Sequence, residues 1–290
     1  MADPVYRGAR CVAAVDRAGG DRAVVRTDDG ASGVYDLVVG ADGYRSMVRA
    51  HVAADSAPRA AGYAVLRGVV PLGRIGDDPD LAGLLADTGL TAMFYGGHAI
   101  VYLIPGRDGP LINWALYARP PRGVPYGPRR AAFAPGELRH ELLTWIAGLA
   151  EARLPDRIAR IVARTPGTAV GAQPVTDRIV PSLGRAPFVL VGDAGTVARP
   201  HTASGAVKAL QDAMCLERAL RTGRSIGAAV AAYGADRTPA GNGLVELGRR
   251  IGRDQVEAAP DWSAMGPGAM RAHVAATWSG DRHYLHPGAG

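Results

Sequence analysis

Short apolar runs alternate with turns at the start of the chain. Arg10–Val15 and Arg22–Thr27 read as strands, and Gly19-Gly20-Asp21 between them predicts a hairpin. Asp36–Gly40 (DLVVG) is an unbroken apolar run of the kind that is buried on both faces. Ala41-Asp42-Gly43 stops it, and a short helix is predicted through Ser46, Val48 and Arg49. From Tyr63 to Tyr117 the pattern is antiparallel: Tyr63–Val70, Thr91–Tyr95, Ile100–Ile104 and Leu111–Tyr117 are strands parted by Gly/Pro/Asp turns. Ala118–Gly136, rich in Pro, Gly and Arg, is a loop. Helices are predicted around Glu137–Glu151 and Pro155–Ala163. Phe188–Val191 is again a β segment, running into Gly192-Asp193-Ala194. A long helix follows from about Ser204 to Leu220, and a second from near Ser225 towards Val256 with glycine breaks. The last stretch is weakly patterned.

This order predicts an α+β chain of two domains, with an antiparallel sheet inserted in sequence. Residues 1–60 and 165–256 would form one domain and 61–164 the other, leaving 257–290 as a C-terminal tail.

Composition narrows the class. With 290 residues, 48% of them hydrophobic, the chain can bury a large core, which excludes a disordered protein. Two distant cysteines, Cys11 and Cys215, make neither a disulfide framework nor a CxxC site, and a reducing compartment fits. The net charge is +6, but the positive residues are scattered, and no stacking run or helix-turn-helix accompanies them, so nucleic acid is not the expected partner. Nearly all are Arg; the only lysine is Lys208. No apolar run reaches the roughly 18 residues that span a bilayer, and the N-terminus carries no signal-like apolar stretch, so a cytoplasmic protein off the membrane is expected.

The densest chemistry lies in Val189–Leu220. A buried strand stops at Gly192, where the missing side chain admits a close neighbour, and Asp193 stands at the strand's carboxyl end, where open α/β sheets bind ligands. Its carboxylate suits sugar or ribitol hydroxyls. Thr202, Ser204 and Gly205 open a helix whose free N–H groups favour an anion. An ordinary strand-loop-helix with a capped start would also account for this stretch. In Leu37–Arg49, Asp42 and Gly43 again follow a strand, with Ser46 and Arg49 three residues apart on a helical face; a plain Asp-Gly turn is the simpler reading.

Taken together, the two stretches resemble the FAD-dependent aromatic hydroxylases, the flavoprotein monooxygenases of the 4-hydroxybenzoate hydroxylase type. The family's DG motif is similar to Asp42-Gly43 with Ser46 and Arg49, and its GD motif to Gly192-Asp193 with Pro200 and Gly205. Ala198-Arg199-Pro200-His201, followed by Gly205, Lys208 and Asp212, is most similar to the 2,6-dihydroxypyridine 3-hydroxylase branch, as are Leu111–Tyr117 and Tyr63–Val70. The resemblance covers about residues 5–255.

The resemblance implies a Rossmann-like FAD-binding domain with an inserted antiparallel-sheet substrate domain. It implies an oxidoreductase that uses FAD and NADH or NADPH to hydroxylate a small aromatic or hydroxypyridine-like ring through a C4a-hydroperoxyflavin. Asp193 would hold the ribitol, Gly192, Pro200 and the Ser204–Gly205 helix start would meet the flavin, and Asp42, Gly43 and Arg49 would contact FAD and help position the nicotinamide nucleotide. His201 would bind or deprotonate the substrate, since histidine titrates near neutrality, or else cap the following helix. Strand alternation places Asn113 and Tyr117 on one face and Trp114 and Leu116 on the other, and the first pair is favoured as substrate contacts among Tyr95, His98, Asn113, Trp114 and Tyr117.

One departure matters. The family opens on a βαβ unit carrying GxGxxG, and no GxGxxG occurs here, so the FAD-binding domain is expected to be incomplete. Three readings stay open: a fragment or misplaced start, a natural short form completed by a separate chain or needing no completion, and a repurposed relative that no longer hydroxylates. The last covers half of a split flavoprotein, a scaffold, or a flavin-independent isomerase or cyclase. A homodimer, or a separate chain supplying the βαβ unit, is the macromolecular partner this leaves open. Gly223–Gly227 matches GxSxG but joins two helices, against a serine hydrolase, and His283 and His286 near Asp281 lie in the weakly patterned tail, so no metal site is expected.

Overall fold

The computed structural model describes Gly8 and residues 11–19, 21–76, 78–121 and 132–278. In chain order the strands and helices begin with β1 (Val12–Arg17), β2 (Ala23–Thr27), β3 (Ser32–Tyr35), β4 (Val38–Gly40) and the one-turn α1 (Arg49–Val52). There follow β5 (Arg59–Pro71), α2 (Pro79–Asp87), β6 (Leu90–Phe94), β7 (Gly97–Ile104), β8 (Leu111–Ala118), α3 (His140–Arg153) and α4 (Asp156–Arg164). The chain closes with β9 (Val170–Asp177), β10 (Gly184–Arg185), β11 (Phe188–Leu190), α5 (Gly205–Thr222), α6 (Ile226–Gly252) and α7 (Pro267–Trp278). The mixture is α+β.

The chain forms two compact units, one of residues 1–59, 177–248 and 280–290, the other of 60–176 and 249–279. In the first unit the expected hairpin is present: β1 pairs antiparallel with β2, and β3, which the sequence pattern did not reveal, extends it to a meander. A second small sheet has the order β10-β11-β4, with β11 and β4 parallel and in register from Phe188↔Val38 to Leu190↔Gly40. Val15, Val48, Phe188, Leu190, Leu216 and Tyr233 belong to the core of this unit. Among the described residues β4 pairs only with β11, and Val39 is 43% exposed, so the expectation that Asp36–Gly40 is buried on both faces is not met.

Helix α6 runs unbroken from Ile226 to Gly252, through Pro239, where glycine breaks were expected. Its glycines serve close packing instead. A Cβ at Gly241 would stand 2.6 Å from Thr196 Oγ1, and one at Gly248 would stand 3.1 Å from the Arg199 nitrogen, so the segment after β11 lies directly on the helix.

The second unit is built on a five-stranded sheet of order β6-β7-β8-β5-β9, antiparallel from β6 through β5. One face, with Leu66, Ile112, Trp114 and Leu116, shares a core with Leu81 and Leu85 of α2, Leu142 and Ile146 of α3, and Ile158 and Ile161 of α4. Trp114 lies across Gly68, where a Cβ would come within 2.5 Å of the indole, and its Nε1 donates to Thr165 Oγ1 at 2.8 Å. The other face carries Tyr63, Val65, Ala115 and Tyr117, clustered with Val175 and Val256. Helix α2 replaces an expected turn region. Asp78 caps it by accepting from the Leu81 N–H at 3.0 Å, and Pro79 opens its first turn. The stretch expected to be patternless holds α7, tied down by His273 and Thr277 side chains on Asp254 at 2.8 and 2.5 Å.

Candidate active site

The turn after β11 is held from beneath by buried charge. Gly192 adopts φ +59°, and a Cβ there would meet that of Ala209 at 3.1 Å. Its N–H donates to Asp212 Oδ2 at 3.0 Å, and its carbonyl accepts from Lys208 Nζ at 2.8 Å. Lys208 also reaches Asp212 Oδ2 (3.2 Å), while Arg237 Nε donates to Asp212 Oδ1 at 2.8 Å. One turn up the strand, the Tyr233 hydroxyl donates to the Leu190 carbonyl at 2.6 Å. Lys208 and Asp212 are fully buried. Burial drives the Lys208 ammonium below its ordinary value against the pull of Asp212, and burial raises the Tyr233 phenol. Such a network is stable only when its members satisfy one another, and it fixes the Gly192 backbone in one place. The Asp193 carboxylate is left on the exposed side.

The Asp42-Gly43 turn is strapped to the same place. Gly43 has φ +71°, and Asp42 Oδ2 accepts the Met47 N–H at 2.7 Å. Ser46 Oγ accepts the Arg49 N–H at 3.1 Å and so opens α1. The Arg49 guanidinium then spans both turns. It donates to the Tyr44 and Gly43 carbonyls on one side (3.0 and 3.3 Å) and to the Ala194 and Asp193 carbonyls on the other (both 2.8 Å). Burial and the neighbouring Arg178 cation lower the Arg49 pKa, opposed by Asp42, Tyr44 and Asp193. Asp42, Gly43, Arg49, Gly192 and Asp193 thus form one constellation. Its arginine serves the backbone, and its carboxylates are exposed.

Beyond Gly195 the chain returns through a bridge between Val197 and Arg178 and a buried ion pair, Arg199 Nε to Asp177 Oδ2 at 2.9 Å. Pro200-His201-Thr202 is a single tight turn with His201 and Thr202 buried. Ala203 follows in the left-handed region at φ +51°, a conformation that costs a residue with a Cβ about 1–2 kcal/mol. The Ser204 hydroxyl donates back to the Thr202 carbonyl (2.7 Å) rather than capping α5. The first-turn amides of α5, at exposed Gly205 and Ala206, therefore have no side-chain cap and can receive negative charge.

Asn113 and Tyr117 lie in the second unit and share a sheet face, as alternation predicts, with Trp114 and Leu116 on the other. Tyr117 is buried and stacked on His98, with centroids 4.5 Å apart and planes at 13°. Arg67 hydrogen-bonds the Tyr117 hydroxyl, and burial raises that phenol's pKa. Burial pushes His98 down to about 3, so its ring is neutral. Asn113 lines a cavity of about 330 Å3 with Val65, Arg67, Val69, Phe133 and Gln173. Tyr95 is 71% exposed on a turn. Arg178, Tyr233, Arg237 and Arg67 escaped sequence reading because their partners are distant along the chain; Lys208 and Asp212 were visible only through the resemblance.

Gly223 ends α5 by donating to the Ala219 carbonyl, and Ser225 Oγ accepts from the Ala228 N–H to start α6, so GxSxG is a helix junction. No cluster of metal-ligating side chains occurs among the described residues, and His283 and His286 lie outside them. No described helix is long and apolar enough to cross a membrane.

Over 238 residues the chain is 30% identical to the aurachin C monooxygenase/isomerase of Stigmatella aurantiaca, covering 82% of this chain and 56% of that protein. The solved structure of 2,6-dihydroxypyridine-3-hydroxylase from Arthrobacter nicotinovorans superposes with a TM-score of 0.75 at 22% identity, covering 90% of this chain and 67% of that one. The relatives of this chain are FAD-dependent aromatic hydroxylases. Klebsiella pneumoniae HpxO, solved with FAD and uric acid, shares the hydroxylase fold at a TM-score of 0.70 and 21% identity, over 92% of this chain and 62% of that one. No family model matches. The chain spans about half the length of the curated hydroxylases and related monooxygenases it matches.

Proposed function

We propose that this chain carries the flavin-ring half of an FAD-dependent monooxygenase that hydroxylates a small aromatic or N-heterocyclic ring with NADH or NADPH as reductant. The observation that carries the reading is the Arg49 strap, which presents the Asp42 and Asp193 carboxylates together by joining the two turns. The donor set fits FAD. An exposed carboxylate at the end of β11 suits the hydroxyls of a ribitol chain, and the uncapped start of α5 suits the negative charge of a reduced flavin ring. When bound, FAD would supply the oxygen activation and the transfer of one oxygen atom to the ring.

The protein's own part is to bind, orient and handle protons. In this reading Asp193 binds the ribitol, and Gly192 and Pro200 leave the flavin room. Ser204 and Gly205 offer backbone N–H groups, and Asp42 and Gly43 position the nicotinamide nucleotide. Arg49 acts as a positioning residue through the four carbonyls it holds. His201 takes or shares the proton of a ring hydroxyl. In the second unit, Asn113 and Tyr117 contact the ring. The first unit would be the flavin-binding domain and the second the substrate domain; residues 165–176 and 249–279, which the sequence pattern assigned to the flavin-binding domain and the tail, belong to the second unit. The adenosine half of FAD calls for a glycine-rich βαβ unit, which these 290 residues do not contain, so another segment or chain would supply it. Among the described residues β4 pairs on one side only and Val39 is exposed, which supports that part of the reading.

The test is a visible absorption spectrum of the chain with added FAD after desalting, followed by NADH and NADPH oxidation with aromatic substrates. A shifted flavin band that is retained, and lost in Asp193→Ala, is the expected result. Absence of retained flavin would mean that the βαβ unit these residues lack is indispensable for holding FAD. His201→Asn should slow substrate oxidation more than it weakens flavin binding; equal loss of both would leave His201 a structural part of the turn.

A further inference from the structure

We propose that the π-helical turn after α6 is the positioning element for Tyr117, with Val256 seated on the sheet and the Asp254 carboxylate holding the turn from behind. The proposal deepens the hydroxylase reading, and rests on it only in taking Tyr117 as a ring contact.

Helix α6 ends at Gly252 and passes directly into Arg253–Glu257, a π-helical turn closed by the Ala258 N–H on the Arg253 carbonyl at 2.7 Å. Such a turn takes up one residue more than an α turn, so side chains at and beyond it are displaced by about 100° around the axis. It is rare, and it persists where the surroundings hold it. Here its two sides are held by different partners.

Positions 254 and 256, two apart, point to opposite sides of the turn. Val256 is buried in one small apolar cluster with Tyr63, Val65, Ala115, Tyr117 and Val175 of the sheet. The turn packs on β7, and Arg119, two residues beyond Tyr117, donates to the Glu257 carbonyl at 2.9 Å. On the far side both Asp254 oxygens are engaged by α7. Oδ1 meets His273 Nε2 at 2.8 Å, and Oδ2 accepts from the Thr277 hydroxyl at 2.5 Å. Trp262 meets the His273 ring edge-on, with centroids 5.4 Å apart. A carboxylate shared by two side chains of another helix fixes the rotation of its own turn. Released, the turn would relax towards α geometry and swing Val256 off the Tyr117 cluster.

The group that this contact seals is the Tyr117 phenol. Arg67 of β5 hydrogen-bonds it, and His98 and Tyr102 of β7 face it; Val256 adds apolar cover without charge. Burial delays ionisation of this phenol, and water admitted beside it would bring the ionisation back towards its ordinary pH.

The experiment labels the chain with 3-fluorotyrosine and follows the fluorine resonances across alkaline pH, without flavin or substrate. The Tyr117 signal is the one lost in Tyr117→Phe. It should titrate above that of Tyr95, which is 71% exposed, and Tyr233 of the first unit serves as the control for global folding. Val256→Ala and Asp254→Ala should each shift the Tyr117 signal and lower its titration by about half a pH unit or more, with the Tyr233 signal unmoved. Asp254→Asn keeps an oxygen acceptor and should recover part of the wild-type profile, and Thr277→Val, which removes one bond, should give a smaller change in the same direction. A latch that only adds stability would lower the unfolding midpoint and leave the Tyr117 signal in place, which would overturn the proposal. An unmoved Tyr117 titration in Val256→Ala, or equal disturbance of Tyr117 and Tyr233, would overturn it too. If Asp254→Ala does not fold, Thr277→Val and Val256→Ala decide by the same criteria. None of these signals depends on FAD retention, so the flavin reading and this one can fail separately.

Discussion

Arg49 Nη2 donates to the carbonyl oxygen of Asp193 at 2.8 Å, across 144 positions of sequence. With the bonds to Ala194, Tyr44 and Gly43, one side chain fixes the distance between two turns that lie in separate parts of the chain. A lysine has the charge but not the planar fork that serves acceptors on both sides. Arg49→Lys should therefore lower the stability of the first unit by roughly 2–4 kcal/mol, as buried carbonyls lose their donors, and should weaken FAD retention with it. Urea unfolding followed by circular dichroism measures the first effect, and the flavin spectrum the second. An unchanged unfolding midpoint would remove the strap from the account.

Lys208 gives a pH signature. Burial lowers its pKa from 10.5 in the folded protein, so the folded state releases this proton at a lower pH than the unfolded chain does. Over the interval from that lowered value up to 10.5 the unfolded chain binds more protons, and stability from this group rises with pH. Lys208→Met should remove this rise. It should also destabilise the protein by about 1–3 kcal/mol at neutral pH, since the Gly192 carbonyl loses its donor while Asp212 keeps Arg237. Unfolding curves of both proteins at several alkaline pH values are the measurement.

His98 works in the acid range. Its folded value of about 3 lies below the ordinary 6.5, so between the two the unfolded chain takes up a proton that the folded one refuses. The stability it contributes is complete above 6.5 and is lost as pH falls towards 3, by about 1.4 kcal/mol per pH unit. His98→Phe keeps a flat ring on Tyr117 but cannot titrate. Thermal melts from neutral to acid pH should show a shallower decline for the variant; parallel declines would assign the acid sensitivity to other groups.

Gly68→Ala tests the packing of the second unit. The added methyl would enter the ring of Trp114, which is held by Thr165, and overpacking of this kind costs about 1–3 kcal/mol. A chemical-denaturation midpoint unchanged from wild type would mean that the indole moves aside freely.

Much of this fold was readable from local pattern. The β1–β2 hairpin, the strands of the central sheet and the junction from β11 into α5 follow from apolar runs bounded by glycine. What escaped was short, edge-like or helical without a clean stripe. In α2 the sequence Asp78-Pro79 is a good helix start, yet neighbouring glycines and aspartates read as turn. β9 contains Pro174, which weakens a strand pattern. At the site, the motif-bearing residues Asp42, Gly43, Gly192 and Asp193 stood out because each follows a strand. The groups that hold them did not. Arg178, Tyr233 and Arg237 act over distance, and Arg67 depends on a strand register that no local pattern encodes.

The burial of Lys208 has a practical consequence. As the chain's sole lysine, it carries the only side-chain amine open to an amine-directed reagent, and the folded protein buries it completely. Its rate of acylation, read by mass spectrometry, becomes a clock for how often the support beneath Gly192 comes apart. A ligand seated on that turn should slow the clock, with no need for an engineered label.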